Sequence, residues 1–437
     1  MPAISLRELV AGSTPLKQVH FVLNSSAVAG LLGGEEALAS MVTVHVFGGK
    51  TWATWFMWYN SPGSYSMGKP LMRLARSVSP YEDGMVQVDL ATLLEYNDLK
   101  GPKFTAVRSG TSMQETGHVA ALLEKLCVAS ITTTGQAGRM GTQPLSVTIA
   151  KLGEPPRPIA KVQSPIPYVT YFATIPVLVS IVTCALSAIY SDWYAFAIIL
   201  SGTFANGWAS MNLGFGTFCF THPDQSQHWT RGDGILDSRD GCVLLKGAEA
   251  SVRAVTLGRF LFLFPSNFAS LRLGVCSVSL MMQSLAMLIL IPQSSFFGQL
   301  MITTSLALSW LYNLWVWTFD KEKILREVVK NVLGQPIFTK FILKTRTSML
   351  VFIALALELK DPAEIMKVFA VPSTAVWEKW KELVIECLTT EREFKFDDRD
   401  WNCDGFCELD KLLLRAILDD ATVGYHLFKK HEDVIVA

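Results

Sequence analysis

The sequence predicts an α-helical integral membrane protein in which four transmembrane helices form two hairpins, with a mixed α/β N-terminal part and a mainly helical C-terminal part, both cytosolic. Three observations carry this expectation. Charged residues make up only 17% of the 437 residues, hydrophobic ones make up 50%, and the mean hydropathy is +0.32. Three long tracts contain no Asp, Glu, Lys or Arg. Basic residues collect at the outer ends of these tracts and are absent from the turns inside them. Lys plus Arg and Asp plus Glu are each 38, so no global charge favours nucleic acid, and none is expected as a partner.

Residues 1–152 carry ordinary charge and are expected to form a soluble α/β or α+β domain. Met41-Val-Thr-Val-His-Val-Phe47 reads as a strand, Met85-Val-Gln-Val-Asp-Leu90 as a second strand or a strand–helix junction, and Gln114 to Cys127 has apolar positions at helical spacing. The first ten residues lack a basic segment followed by an apolar core, so a cleaved secretory signal is not expected. Gly49-Lys50-Thr51 follows the first strand, but the glycine of a phosphate loop is replaced by Val44, so a plain turn is the better reading. Trp52, Trp55, Phe56 and Tyr59 are spaced for one packed helical face. Residues 153–165 form a linker, since three prolines in Gly153-Glu-Pro-Pro-Arg-Pro158 favour extended chain.

The first hairpin is expected over residues 166–220. Val162 to Ser191 is thirty residues without charge, Asp192 interrupts, and Trp193 to Thr221 adds twenty-nine. About 20 residues at about 1.5 Å each cross a hydrocarbon core of about 30 Å, so Asp192 marks a turn between spans near 168–190 and 194–219. The second hairpin is expected over 273–319, where forty-seven uncharged residues are too long for one crossing. Pro292-Gln-Ser-Ser295 breaks them into spans near 273–291 and 296–318. Thr347 to Leu357 and Phe260 to Leu271 are too short to cross and read as a buried helix and an interfacial segment.

Between the hairpins, residues 221–272 form a central loop with a hairpin around Cys242-Val-Leu-Leu245 and a helix through Ala248 to Val255. Around Trp229-Thr-Arg-Gly-Asp-Gly234 and Ala254-Val-Thr-Leu-Gly-Arg-Phe260, and in its paired hairpins, the chain resembles uncharacterised multi-pass membrane proteins of basidiomycete fungi. The resemblance implies a membrane fold and carries no activity and no functional residues. Residues 320–437 form the C-terminal region, where Trp377, Trp380, Leu383, Val384, Cys387 and Leu388 give one apolar helix face for packing on a soluble core.

Orientation follows from Lys151, Arg157 and Lys161 before the first span, Lys321, Lys323, Arg326 and Lys330 after the last, and six arginines and lysines in the central loop. Cytosolic flanks carry such excess, so both termini are expected in the cytosol. A glycan on the sequon at Asn24 would contradict this.

Chemistry is sparse. Asp400, Asn402 and Asp404 followed by Gly405 match the first half of a calcium loop, but position twelve is Lys411, and a turn starting a helix over Glu408 to Leu418 explains the same residues. Calcium is thus the only cofactor considered, and none is required. His222 and His228 near Asp224 lack a third ligand. No Gly-x-Ser-x-Gly or His-Glu-x-x-His occurs, so no enzyme is indicated.

Inside the spans Asn206, Asn212, Gln283 and Asn313 are polar and uncharged, which lowers the expectation of ion-coupled transport. Asn206, Asn212 and Gln283 are candidates for helix packing or pore lining. The small residues around Asn206 and Asn212, from Gly202 to Gly216, suit close helix contact or homo-oligomerisation. The expected role is a membrane-anchored interaction or scaffold protein with protein partners on the cytosolic side. The alternative is an oligomeric small-solute channel or transporter.

Overall fold

The computed structural model describes residues 35–48, 57–81, 84–89, 100–130, 132–137, 145–154, 157–162, 165–223, 231–238, 241–265, 268–359, 361–368, 371–403 and 405–436. The fold is mixed α/β, and the chain divides into two compact units. One comprises residues 1–97, 161–220 and 260–324; the other comprises 98–160, 221–259 and 325–437. This partition differs from the contiguous one expected. The first 97 residues belong with the hairpins, and the rest of the N-terminal part folds with the central loop and the C-terminal region.

The longer helices among the described residues of the first unit are α1 (Glu35–Phe47), α2 (Ser64–Ser77), α3 (Thr174–Ile189), α4 (Trp193–Gly214), α5 (Ala269–Leu290) and α6 (Phe296–Trp317). The strand expected at 41–47 is instead the second half of α1. Met41, Val42, Val44, Val46 and Phe47 are all buried, so the segment is apolar on every side, and burial overrides its β-branched preference. Met85–Leu90 contributes the expected strand at Val86–Asp89. It lies in a five-stranded sheet ordered 79–80, 86–89, 259–264, 217–221 and 159–161, so the interfacial stretch expected from Phe260 begins as a strand.

Among the described residues two stretches are long and apolar enough to cross a membrane, Val169–Ile189 and Ala269–Gln293. The expected count of four therefore narrows to two by length and hydropathy. α4 and α6 are 22 residues each and uncharged, but their Asn, Ser, Trp and Tyr side chains make them less apolar. Both expected turns are present. Asp192 accepts a hydrogen bond from the Ala195 amide (3.1 Å) to cap α4, and Ser295 accepts one from the Gly298 amide (3.1 Å) to cap α6. The Asp192 carboxylate also accepts from the Ser295 amide (2.8 Å) and hydroxyl, tying the two turns together. Gly298 permits this approach, since a Cβ there would lie 2.1 Å from Asp192 Oδ2.

The second unit is organised by a seven-stranded sheet ordered 112–113, 104–106, 234–238, 241–246, 145–151, 337–343 and 132–137. Its central strands come from three separate stretches of chain. Cys242–Leu245 is a fully buried run, which needs cover on both faces and partners on both edges. It pairs antiparallel with 234–238, as the expected hairpin, and parallel with 145–151. Strand 337–343 then adds antiparallel to 145–151. The expected helix follows the hairpin at Glu249–Thr256.

Helices Arg346–Ala356, Ala375–Thr389 and Glu408–Val436 cover this sheet around Val147, Ile149, Leu244, Phe341 and Leu343. Thr347 to Leu357 is thus a buried helix, as its length requires. The Trp380 face packs on the same core, with the Trp380 indole donating to the Ile417 carbonyl (3.1 Å).

Candidate functional site

In the helical unit the usual relation of burial to polarity is inverted. Along α3, Ile175, Leu178, Ile181, Val182 and Ile189 are each more than half exposed, whereas Ser180, Thr183 and Ser187 are buried. The buried three recur at three and four residues and so share one face. On α6, Ser305, Ser309 and Asn313 form an inward stripe by the same spacing. α4 buries Asn206, Ser210 and Asn212, while α5 buries Ser277 and Gln283 and exposes Val275, Val278, Met282, Leu285, Leu288 and Ile289.

A non-helical segment, Met57 to Gly63, lies within this polar interior. Met57, Tyr59, Asn60 and Ser61 are 0–3% exposed, so the backbone here depends on protein partners for its hydrogen bonds. The helices supply them. Asn206 donates to the Met57 carbonyl (3.0 Å), and the Asn60 amide N–H donates to Ser180 Oγ (3.0 Å), which in turn lies 3.1 Å from Ser305 Oγ. Tyr59 donates its hydroxyl to Asn313 Oδ1 (2.8 Å), and Asn313 Nδ2 donates to Ser61 Oγ (3.3 Å). Gly63 adopts a left-handed conformation (φ 69°) and turns the chain into α2. α2 then packs along α5, where the Ser277 hydroxyl donates to the Gly68 carbonyl (2.7 Å) and Ser270 to that of Ala75.

The structure therefore brings two of the three expected residues into one cluster. Asn206 holds the buried segment. Gln283 donates to the Ile198 carbonyl (3.1 Å) and lies against Gly202 beside Asn60. Asn212 does not join them, because its amide donates to the Trp208 carbonyl of its own helix (2.8 Å). The small-residue face is occupied from within the chain: Cβ atoms at Gly202 and Gly207 would lie 2.1 Å from Asn60 Oδ1 and 2.5 Å from the Trp58 ring. At one end of α4, Ser210 Oγ meets His45 Nε2 at 3.0 Å.

Tyr59, Asn60 and Ser61 escaped the sequence reading, which placed Tyr59 on a helix. Of that helical face, residues 52, 55 and 56 lie outside the described residues, as do 49–51. The signal was present: Thr51 to Gly68 is eighteen residues without Asp, Glu, Lys or Arg. The cluster offers neutral donors and acceptors and no nucleophile–base–carboxylate set among the described residues. It suits hydrogen bonding to an uncharged group rather than ion binding or acid–base chemistry.

The remaining candidates separate from it. Asp400 lies in a one-turn helix, where its carboxylate accepts the Asp397 amide (2.7 Å) in a reciprocal cap. Asn402 is exposed, and Asp404 lies outside the described residues. His222 meets the neighbouring Pro223 carbonyl at 3.1 Å, and residues 224 and 228 lie outside the described residues. Among the described residues no group of three or more His, Cys, Asp or Glu is placed to hold a metal ion. Comparison with protein-family models, with curated proteins and with solved structures returns no match.

Proposed function

We propose that the chain is an integral membrane protein whose helical unit sits in lipid and anchors the α/β unit as an interaction scaffold. The observation that carries this is the exposure of aliphatic side chains on α3 and α5 while hydroxyls and amides are buried alongside an apolar core around Ile198, Ile302 and Leu306. Water would penalise that outward surface, and lipid accommodates it. In this reading α3 to α6 all cross. The 22 residues of α4 and α6 reach about 33 Å, and their lower hydropathy comes largely from side chains the bundle buries. The basic flanks support a cytosolic side for both termini.

Flotation with vesicles and resistance to alkaline carbonate are the expected behaviour of the full-length chain. Exposed Cys407 should react with an impermeant maleimide only after the cytosolic face is opened. Release of folded chain by carbonate would remove the membrane part of the proposal. A chain that stays embedded but gives no reproducible neighbours by in-cell cross-linking would remove the scaffold part.

The buried neutral cluster favours a second reading, passage of a small solute, with Asn206 and Gln283 as lining residues and possible homo-oligomers as its carrier form.

A further inference from the structure

Asn60 is fully buried, yet neither its side-chain oxygen nor its side-chain nitrogen has a hydrogen-bond partner within the protein. Burying such an amide without partners is costly, and more so where no water reaches. The same condition holds for the hydroxyls of Ser64, four residues on, and of Ser309, one turn beyond Ser305 on α6. Each is at most 3% exposed. These atoms do not lie at a frayed edge. Asn60 is fixed against Ser180, Gly202 and Gln283, which fall well inside α3, α4 and α5.

Phe47 at the end of α1 pairs with Ile166, ahead of α3, while Met57 to Gly63 lies among the helices. α2 then runs along α5, from Gly68 beside Ser277 to Ala75 beside Ser270. In a lipid-embedded unit Met57 to Gly63 and α2 read as the inner turn and outgoing half-helix of a re-entrant loop, and irregular backbone at that depth persists only where protein covers it or where it lines a polar path. α2 starts there with no side-chain cap, so its first amides add positive partial charge beside the loop. That repels cations and favours an electronegative atom. No buried carboxylate or ammonium accompanies Asn60 among the described residues that contact it.

We infer that the Asn60 amide, at the tip of this re-entrant loop, is a binding point for a small uncharged molecule that both donates and accepts hydrogen bonds, on a path across the helical unit. Water, a polyol or a small amide shares that chemistry. The inference rests on the lipid-embedded reading of the helical unit and supplies the solute class for its second reading. Gly202 sets the size limit, because any side chain there would displace the Asn60 carboxamide.

The test is osmotic shrinkage of vesicles carrying the full chain, followed by stopped-flow light scattering with water, glycerol and urea as separate probes. The expected result is permeability to at least one probe above that of protein-free vesicles. Asn60→Leu should return it to the protein-free value, and lipid-facing Val278→Ala should leave it unchanged. Gly202→Ala, which forces a methyl onto the amide, should block in the same way and decides the matter if Asn60→Leu does not reconstitute. Wild-type vesicles that contain the chain yet match protein-free vesicles would overturn the inference, as would wild-type permeability in either blocking variant. A chain that fails to float with the vesicles at all would instead overturn the membrane reading on which it rests.

Discussion

Replacing Asp192 by alanine tests whether the two hairpins are joined through one carboxylate. Asp192 is 8% exposed and accepts from the Ala195 amide, the Ser295 amide and the Ser295 hydroxyl. Losing the α4 cap costs about 1 kcal/mol. Leaving the Ser295 donors without their acceptor adds about 1–3 kcal/mol, and removing a negative charge from two helix N-termini adds about 0.5 kcal/mol. The expected destabilisation is about 3 kcal/mol for Asp192→Ala. It is less for Asp192→Asn, which keeps one oxygen, and about 1 kcal/mol for Ser295→Ala, which keeps the backbone bond.

Because both single changes remove the same hydroxyl–carboxylate bond, the double variant should be about 1–2 kcal/mol less damaged than the sum. The assay is reversible unfolding in mixed micelles, followed by tryptophan fluorescence. Additivity within about 0.5 kcal/mol would refute a direct link between the turns.

Two predictions concern the α/β unit. Glu358 accepts from Arg231 at 2.7 Å and from Lys246 at 3.3 Å. Hydrogen bonding to Arg231, aided by Lys246 against the opposing effect of partial burial, holds its carboxyl below the usual range. A depressed carboxylate stabilises the fold above its unfolded pKa and loses that contribution as pH falls through the folded one. Glu358→Gln should therefore flatten the acid limb of the stability profile while costing no more than about 1 kcal/mol at neutral pH, since the pair is half exposed. An unchanged acid limb would argue against the ion pair in solution. Trp380→Ala empties the largest fully buried side chain of the sheet-and-helix core and removes the indole bond to the Ile417 carbonyl, so chemical unfolding should report a loss of about 4 kcal/mol. A loss under about 1 kcal/mol would mean the core is not packed around it.

Particular residues show why some of this was legible and some was not. Asp192 and Pro292 marked their turns because charge and proline act locally. Cys242–Leu245 announced a buried strand and its hairpin, but not that 145–151 would flank it and 337–343 would add beyond 145–151, because these pairings join residues far apart along the chain. Val44 and Val46 read as strand by their own preference and became helix through what surrounds them. Asn206 and Gln283 stood out as polar residues in apolar tracts. Tyr59 read as part of a packed helical face, and Asn60 and Ser61, next to Pro62 and Gly63, carried no periodic signal of their own.

The sequence by itself determined which stretches are long and uncharged and where they reverse, since hydropathy and turn chemistry are properties of short windows. Only the tertiary structure decided that a looped segment from the first 97 residues enters the helical unit and that three scattered stretches share one sheet. The physical reason is that an unsatisfied amide or strand edge fixes the need for a partner but not its address along the chain.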